Sequence, residues 1–278
     1  MSTSTYLDSL LFATRQINLY SGLLVFIIGG IGNILNIIVF TTLKTFRQTT
    51  CAFYLVTATI ANLGVVILML LQILYDGFDI GLTYTPLLCK FRNALTQYFG
   101  LVYLTSLCLV TIDQFISMTS YKHWSNIKNA RYLIGFANFL WFMYNILTFI
   151  YEESYLNFCI VPNAVLVNYY IYFQAPVLFG FIPLGIMIIF SFLAFLKIRT
   201  IASRQINIVR LSRDRQLTAM TLVNVLFVVI STIPFIICFI YNITQNNTDP
   251  IGAAQRQLIF SAIAMIFSLS NSVRFLFN

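Results

Sequence analysis

Apolar residues fall into seven long runs separated by short polar gaps. The runs cover roughly 18–43, 51–75, 87–119, 131–151, 167–198, 216–242 and 254–277. Each can cross a bilayer as a helix, which takes about 20 residues. Several contain Gly, Pro or Asn, which membrane helices tolerate where they pack against neighbours. The gaps are short, so successive helices should run antiparallel. The pattern predicts an all-α, seven-transmembrane helix bundle over 18–277, preceded by a polar segment, 1–17. That segment lacks the basic start, short apolar core and small-residue site of a cleavable signal peptide. The first span is therefore expected to serve as its own insertion signal. No internal repeat and no low-complexity tract interrupts the series.

The third run fixes the frame. Cys89 stands near its start and Asp113-Gln114-Phe115 near its end, so Cys89 and Asp113 are 24 positions apart. At about 1.5 Å per residue that is about 36 Å, a little more than a hydrocarbon core of about 30 Å. The cysteine and the aspartate are thus expected at opposite faces of the membrane.

Composition strengthens this picture. The chain is 59% hydrophobic and 9% charged, against about 25% charged in a soluble domain. A net charge of +8 would suit nucleic acid. The basic residues, however, lie in the gaps between runs, so no nucleic-acid partner is expected. Abundant Phe and Tyr suit interfacial rings. No CxxC pair is present, and His123 is the only histidine. Zinc sites, His-based triads, cofactors and enzymatic activity have nothing to build on.

Lys and Arg orient the bundle. With the amino terminus outside, 12 of them fall on the cytoplasmic side, including Lys122, Lys128, Arg131 and the 197–215 cluster, against 4 outside. Six acids lie outside, and only Asp113 and Asp214 inside. Seven crossings place the carboxyl terminus in the cytoplasm. Cys89 and Cys159 both fall on the outer side, where an oxidising compartment lets two cysteines bridge. A bridge there would tie the second outer loop to the top of the third helix. Cys51, Cys108 and Cys238 lie in spans and read as small packing residues. Asn242 and Asn246 open glycosylation tripeptides in the last outer gap, Asn242 very close to the span.

In this order the landmarks resemble the rhodopsin-like (class A) G-protein-coupled receptors, in a divergent form of the invertebrate, peptide-receptor type. Gly32-Asn33-Ile34-Leu35 is similar to the first-helix GNxL motif. Ala61-Asn62-Leu63 stands in the place of ADL. Cys89 matches the bridge cysteine, and Asp113-Gln114-Phe115 the DRY triplet. Trp141 matches the fourth-helix tryptophan, and Pro183 and Pro234 the kink prolines of the fifth and sixth helices. Asn271-Ser272-Val273-Arg274-Phe275 replaces NPxxY. The resemblance implies a plasma-membrane, multi-pass receptor that transmits an extracellular ligand to a heterotrimeric G protein.

Departures from the pattern matter as much. Asn62 replaces a carboxylate that in the family helps hold a sodium ion, and Tyr103 replaces a small hydroxyl residue beside it. Both argue against that site; the simpler role for Asn62 is a buried amide bonded across helices. Gln114 replaces the arginine that in the family reaches towards the G protein, and has neither its charge nor its reach. Asp214 stands where many receptors place an acid facing that arginine. Here it could offer only a charge-to-amide bond, or be neutralised by Arg213 and Arg215 in a basic loop near anionic lipid. Thr232 stands in place of the tryptophan toggle. Pro234 still removes a backbone bond and should kink the sixth helix.

No aspartate for an amine ligand stands at Thr96, and Met265 occupies the place of a retinal-binding lysine. The outer pocket is expected to be neutral and hydrogen-bonding, lined by Thr96, Gln97, Gly100, Tyr172 and Tyr241. The tyrosines read equally well as interfacial anchors. Acidic outer loops would attract a basic peptide. Two other classes compete. A receptor-like protein that no longer signals fits the missing arginine. A transporter or channel would need ionisable groups at mid-membrane, of which this chain has almost none, Asp113 falling at the inner rim. The sequence ends at Asn278, where family members usually continue with an amphipathic helix and a Ser/Thr-rich tail. Membrane-impermeant labelling of intact cells should reach the loop around Cys159 and not the basic gaps. Labelling of residue 159 only after permeabilisation would overturn the orientation.

Overall fold

The computed structural model describes residues 3–42, 49–78, 86–119, 121–151, 153–155, 158–160, 164–202, 208–245 and 249–273. Among these are seven helices long and apolar enough to cross a membrane. They are α1 (Thr3–Thr42), α2 (Thr50–Phe78), α3 (Pro86–Ser117), α4 (Ile127–Tyr151), α5 (164–202), α6 (Ile208–Thr244) and α7 (Pro250–Val273). Helix α3 is the hub, touching α2, α4, α5 and α6. Helix α1 packs between α2 and α7, and α6 closes the ring between α5 and α7.

Helix boundaries follow capping chemistry more than hydropathy. Thr49 caps α2, its hydroxyl accepting from the Ala52 N–H at 3.3 Å. Asn126 caps α4 by accepting from the Lys128 N–H at 3.2 Å. Asp249 caps α7 with both carboxylate oxygens, each 3.1 Å from the amide of Ile251 or Gly252. Pro250 then takes the first helical position, where its missing N–H costs nothing. These caps start α4 and α7 four residues ahead of the apolar runs at 131 and 254. Helix α1 likewise opens at Thr3, not at Asn18. No Gly or Pro interrupts residues 3–21, and the helix continues through the polar segment.

Two elements were not foreseen. Between α4 and α5 lies a two-stranded antiparallel hairpin, β1 (Glu153–Tyr155) and β2 (Phe158–Ile160), pairing Ser154 with Cys159. It rests against α3. Within α5, residues Tyr170–Phe181 wind as a π-helix around Pro176. The Ile182 N–H reaches back five residues to the Val177 carbonyl. Proline cannot donate to an α-helical ladder, and a wider turn restores the remaining bonds. The distortion of α5 therefore surrounds Pro176. Pro183 sits in the first turn of the following α-helical stretch, Ile182–Ala202.

The bundle hides polar atoms and displays apolar ones. Two buried clusters meet on α3. Phe40, Tyr54, Leu55, Val110, Ala130 and Ile134 join α1 to α4, with Cys51 among them. Ala58, Leu107, Leu184, Met187, Val225 and Val228 join α2, α3, α5 and α6 around Cys108. Outward stand large side chains such as Phe136, Phe139 and Phe181, each more than half exposed. In water such a surface would aggregate; in lipid it is the solvated face.

Close helix contacts rest on glycines. Gly22 of α1 lies directly under Ile73 of α2. A Cβ at Gly64 would stand 2.9 Å from the ring of Phe99 on α3. Gly64→Val should overpack this α2–α3 contact and cost about 1–3 kcal/mol. Gly30, whose Cβ would meet nothing within 4 Å, is the control. Thermal unfolding of the purified protein in detergent should show a lower midpoint for Gly64→Val and no loss for Gly30→Ala.

Candidate functional site

The inner end of α3 carries the densest polar convergence. Asp113 and Gln114 are adjacent on the helix, both buried, and point to different neighbours. Asp113 faces Ser125 in the loop after α3, with Tyr54 of α2 close by. Gln114 faces the other way. Its amide nitrogen donates to the Thr221 hydroxyl on α6 and lies 3.7 Å from Cys51 Sγ on α2. Phe115, next in line, meets Phe190 of α5 edge-on at 5.8 Å. Three consecutive residues thus touch the inner loop, α6 and α5.

Just above Gln114 is a small cavity of about 10 Å³, room for about one water molecule. Thr111, Thr221 and Asn224 bring polar groups to its otherwise apolar wall, which includes Met187. The inner ends of α3 and α6 are therefore joined by uncharged groups around little empty space. Asp214 lies two turns before Thr221 on α6, with its side chain outside the described residues.

At mid-bundle, Asn62 donates to Asn33 Oδ1 at 3.2 Å, and Asn33 donates to the Gly29 carbonyl at 2.7 Å. Tyr103 packs on the apolar cluster around Cys108. An amide engaged with α1 and a phenol packed on apolar side chains do not fit the family's sodium ion. Among the described residues, no group of three metal-ligating side chains is found.

Helix α4 is pinned by polar groups on one face. The Trp141 indole donates to Thr105 at 2.9 Å, and the Tyr98 hydroxyl donates to Asn138 at 2.7 Å. Tyr144 meets Trp141 edge-on and donates to Gln174, in the π-helical part of α5, at 3.0 Å. The sequence singled out only Trp141. Asn138 was legible with it, in a polar stripe of Asn138, Trp141 and Asn145 recurring every three to four residues in an apolar run.

Above Pro234, Phe235 of α6 stacks on Phe267 of α7 with centroids 4.5 Å apart and planes 13° from parallel. Phe260 and Phe239 complete the cluster. One turn below, Thr232 is buried in the place of the family's tryptophan. The phenylalanines were passed over because a single Phe in an apolar run carries no signal of its own.

The outer residues divide. Thr96, Gln97 and Gly100 share α3. The Thr96 hydroxyl turns back to the Arg92 carbonyl at 2.7 Å. Gln97 Oε1 is buried with no hydrogen-bond donor among the described residues. Gly100 lies beneath the ring of Phe179. Tyr172 and Tyr241 are 68% and 53% exposed, as the anchoring role would have them. The Cys108 thiol lies 3.6 Å from the Pro183 carbonyl, joining α3 to α5. Asn242 sits in the last turn of α6. The side chains of Cys89, Cys159 and Asn271 and the whole of Asn246 lie outside the described residues.

These features sit at positions that a known family also uses. The family model for the 7 transmembrane receptor (rhodopsin family) matches residues 32–273. The match runs from the glycine that opens the Gly32-Asn33 motif to the last residue of α7. No curated protein matches the sequence at a significant level. The matched segment covers all seven crossings but for the outer part of the first. The chain belongs to the rhodopsin family of seven-transmembrane receptors and is a multi-pass membrane protein with a receptor's signalling role.

Proposed function

We propose that the chain carries the binding of an extracellular peptide to a heterotrimeric G protein at the cytoplasmic face of the plasma membrane, its amino terminus outside. The observation that carries this reading is the bond from Gln114 on α3 to Thr221 on α6. It lies where receptors of this family separate their inner helix ends to admit the G protein. Here the tie is uncharged. A cross-helix bond of this kind contributes about 0.6 kcal/mol on average and up to about 1.7. Breaking it therefore changes the closed-to-open ratio by about 3-fold to about 20-fold. Pro234 inside α6 supplies a break in the ladder about which the inner half can swing.

The peptide preference rests on the outer acids and the absence of an amine-binding carboxylate at Thr96. One acid is discounted: Asp249 already serves as the cap of α7. The expected Cys89–Cys159 bridge gains support from the contact of the hairpin with α3.

A second reading, a receptor-like protein that binds without activating a G protein, is favoured by Gln114 itself. Its amide is buried and engaged, and has no charge to present to a partner. Two measurements on one variant separate the readings. Thr221→Val should lengthen the α3–α6 distance measured between inner spin labels and raise basal nucleotide exchange on added G protein by about 3-fold to about 20-fold. A longer distance with no exchange would favour the non-signalling protein. An unchanged distance would remove the bond as a restraint. Gln114→Arg should raise stimulated output if the inner face is merely attenuated.

A further inference from the structure

The loop after α3 is built, and it presents charge outward. Residues Lys122–Trp124 form a single 3-10 turn. The Trp124 N–H donates to the Tyr121 carbonyl at 2.9 Å, and the Ser125 N–H to the Lys122 carbonyl at 3.1 Å. The Asn129 amide donates to the Trp124 carbonyl at 3.2 Å, fastening the turn to the start of α4. Ser125, at its end, lies beside Asp113. On this scaffold Lys122, Lys128 and Arg131 are all exposed. Tyr121, Trp124 and Tyr132 are exposed beside them, at 65%, 63% and 74%. No ion pair engages the three cations among the described residues, and the nearest acid in sequence, Asp113, is buried.

The direction of the patch matters. Lys128 and Tyr132 are four residues apart on α4, and the same face continues through Phe136, Phe139 and Met143, all exposed. That is the face the helix gives to hydrocarbon. A cation at its inner end meets the headgroup layer, with tyrosine and tryptophan rings at interfacial depth.

We infer that Lys122, Lys128 and Arg131, framed by Tyr121, Trp124 and Tyr132, form a site for anionic phospholipid headgroups of the cytoplasmic leaflet. The inference rests on the orientation proposed above only for the choice of leaflet. Binding in micelles has no sidedness, so its failure is distinguishable from a wrong orientation. The site places an acidic lipid against the loop that holds Asp113, one residue from Gln114. Lipid charge would therefore steady the inner end of α3.

The test uses the purified full chain in neutral detergent micelles, titrated with fluorescent phosphatidylserine or phosphatidylcholine. Wild type should bind the serine lipid in preference. Lys122→Gln and Lys128→Gln should each weaken it about 5-fold, and the triple change with Arg131→Gln about 100-fold. Lys122→Arg with Lys128→Arg should retain affinity and shows that the fold tolerates change here. Lys90→Gln, at the opposite end of α3, should change nothing. Equal affinity for the two lipids in wild type would overturn the site, as would undiminished affinity in the triple variant. Retained lipid affinity with lost nucleotide exchange would reassign the patch to a protein partner.

Discussion

Lipid offers no hydrogen bonds, and this one constraint organises the molecule. Each backbone must satisfy itself, so the crossings are helices. Side-chain hydroxyls follow the same rule. Thr59 turns to the Leu55 carbonyl at 2.6 Å, Ser106 to Val102 at 2.7 Å and Ser231 to Phe227 at 2.7 Å. Most small polar residues in the spans are thereby quenched within their own helix. What remains to join one helix to another, among the described residues, is a short set of amides, phenols, one indole and one thiol.

That set is unevenly placed. Helix α3 reaches α4 through Tyr98 and Thr105, α5 through Cys108 and α6 through Gln114. The ties to α4 run through half-buried aromatic groups, and the tie to α5 through a buried thiol. The tie to α6 runs from an amide to a hydroxyl beside a cavity. Among its neighbours α3 packs most extensively on α2 and least on α6. The contact with least to hold it is therefore the one between α3 and the proline-interrupted α6.

Much of this was legible beforehand, for physical reasons. Crossings are read from length and hydropathy, and the seven runs became seven helices. Their ends were less legible, because caps such as Asp249 and Asn126 lie outside the apolar windows. Individual landmarks such as Asn33 and Trp141 stood out through their resemblance to family motifs, and each has a hydrogen-bond partner in the bundle. Partners themselves were not legible: nothing in the sequence distinguishes Thr221 from other hydroxyl residues in α6, and Asp214 drew attention by its charge. The π-helical winding around Pro176, which carries Tyr172, has no counterpart in hydropathy.

The winding of α5 also bears on how the receptor is compared with its family. Five-back bonding packs extra residues into each turn of Tyr170–Phe181. Side chains drift out of phase with those of a relative whose helix stays regular. A position matched by arithmetic below Pro183 faces the same neighbour, while one matched above Tyr170 has slipped around the cylinder. Any mutational scan borrowed from such a relative needs its outer half re-indexed before equivalent wall positions can be named.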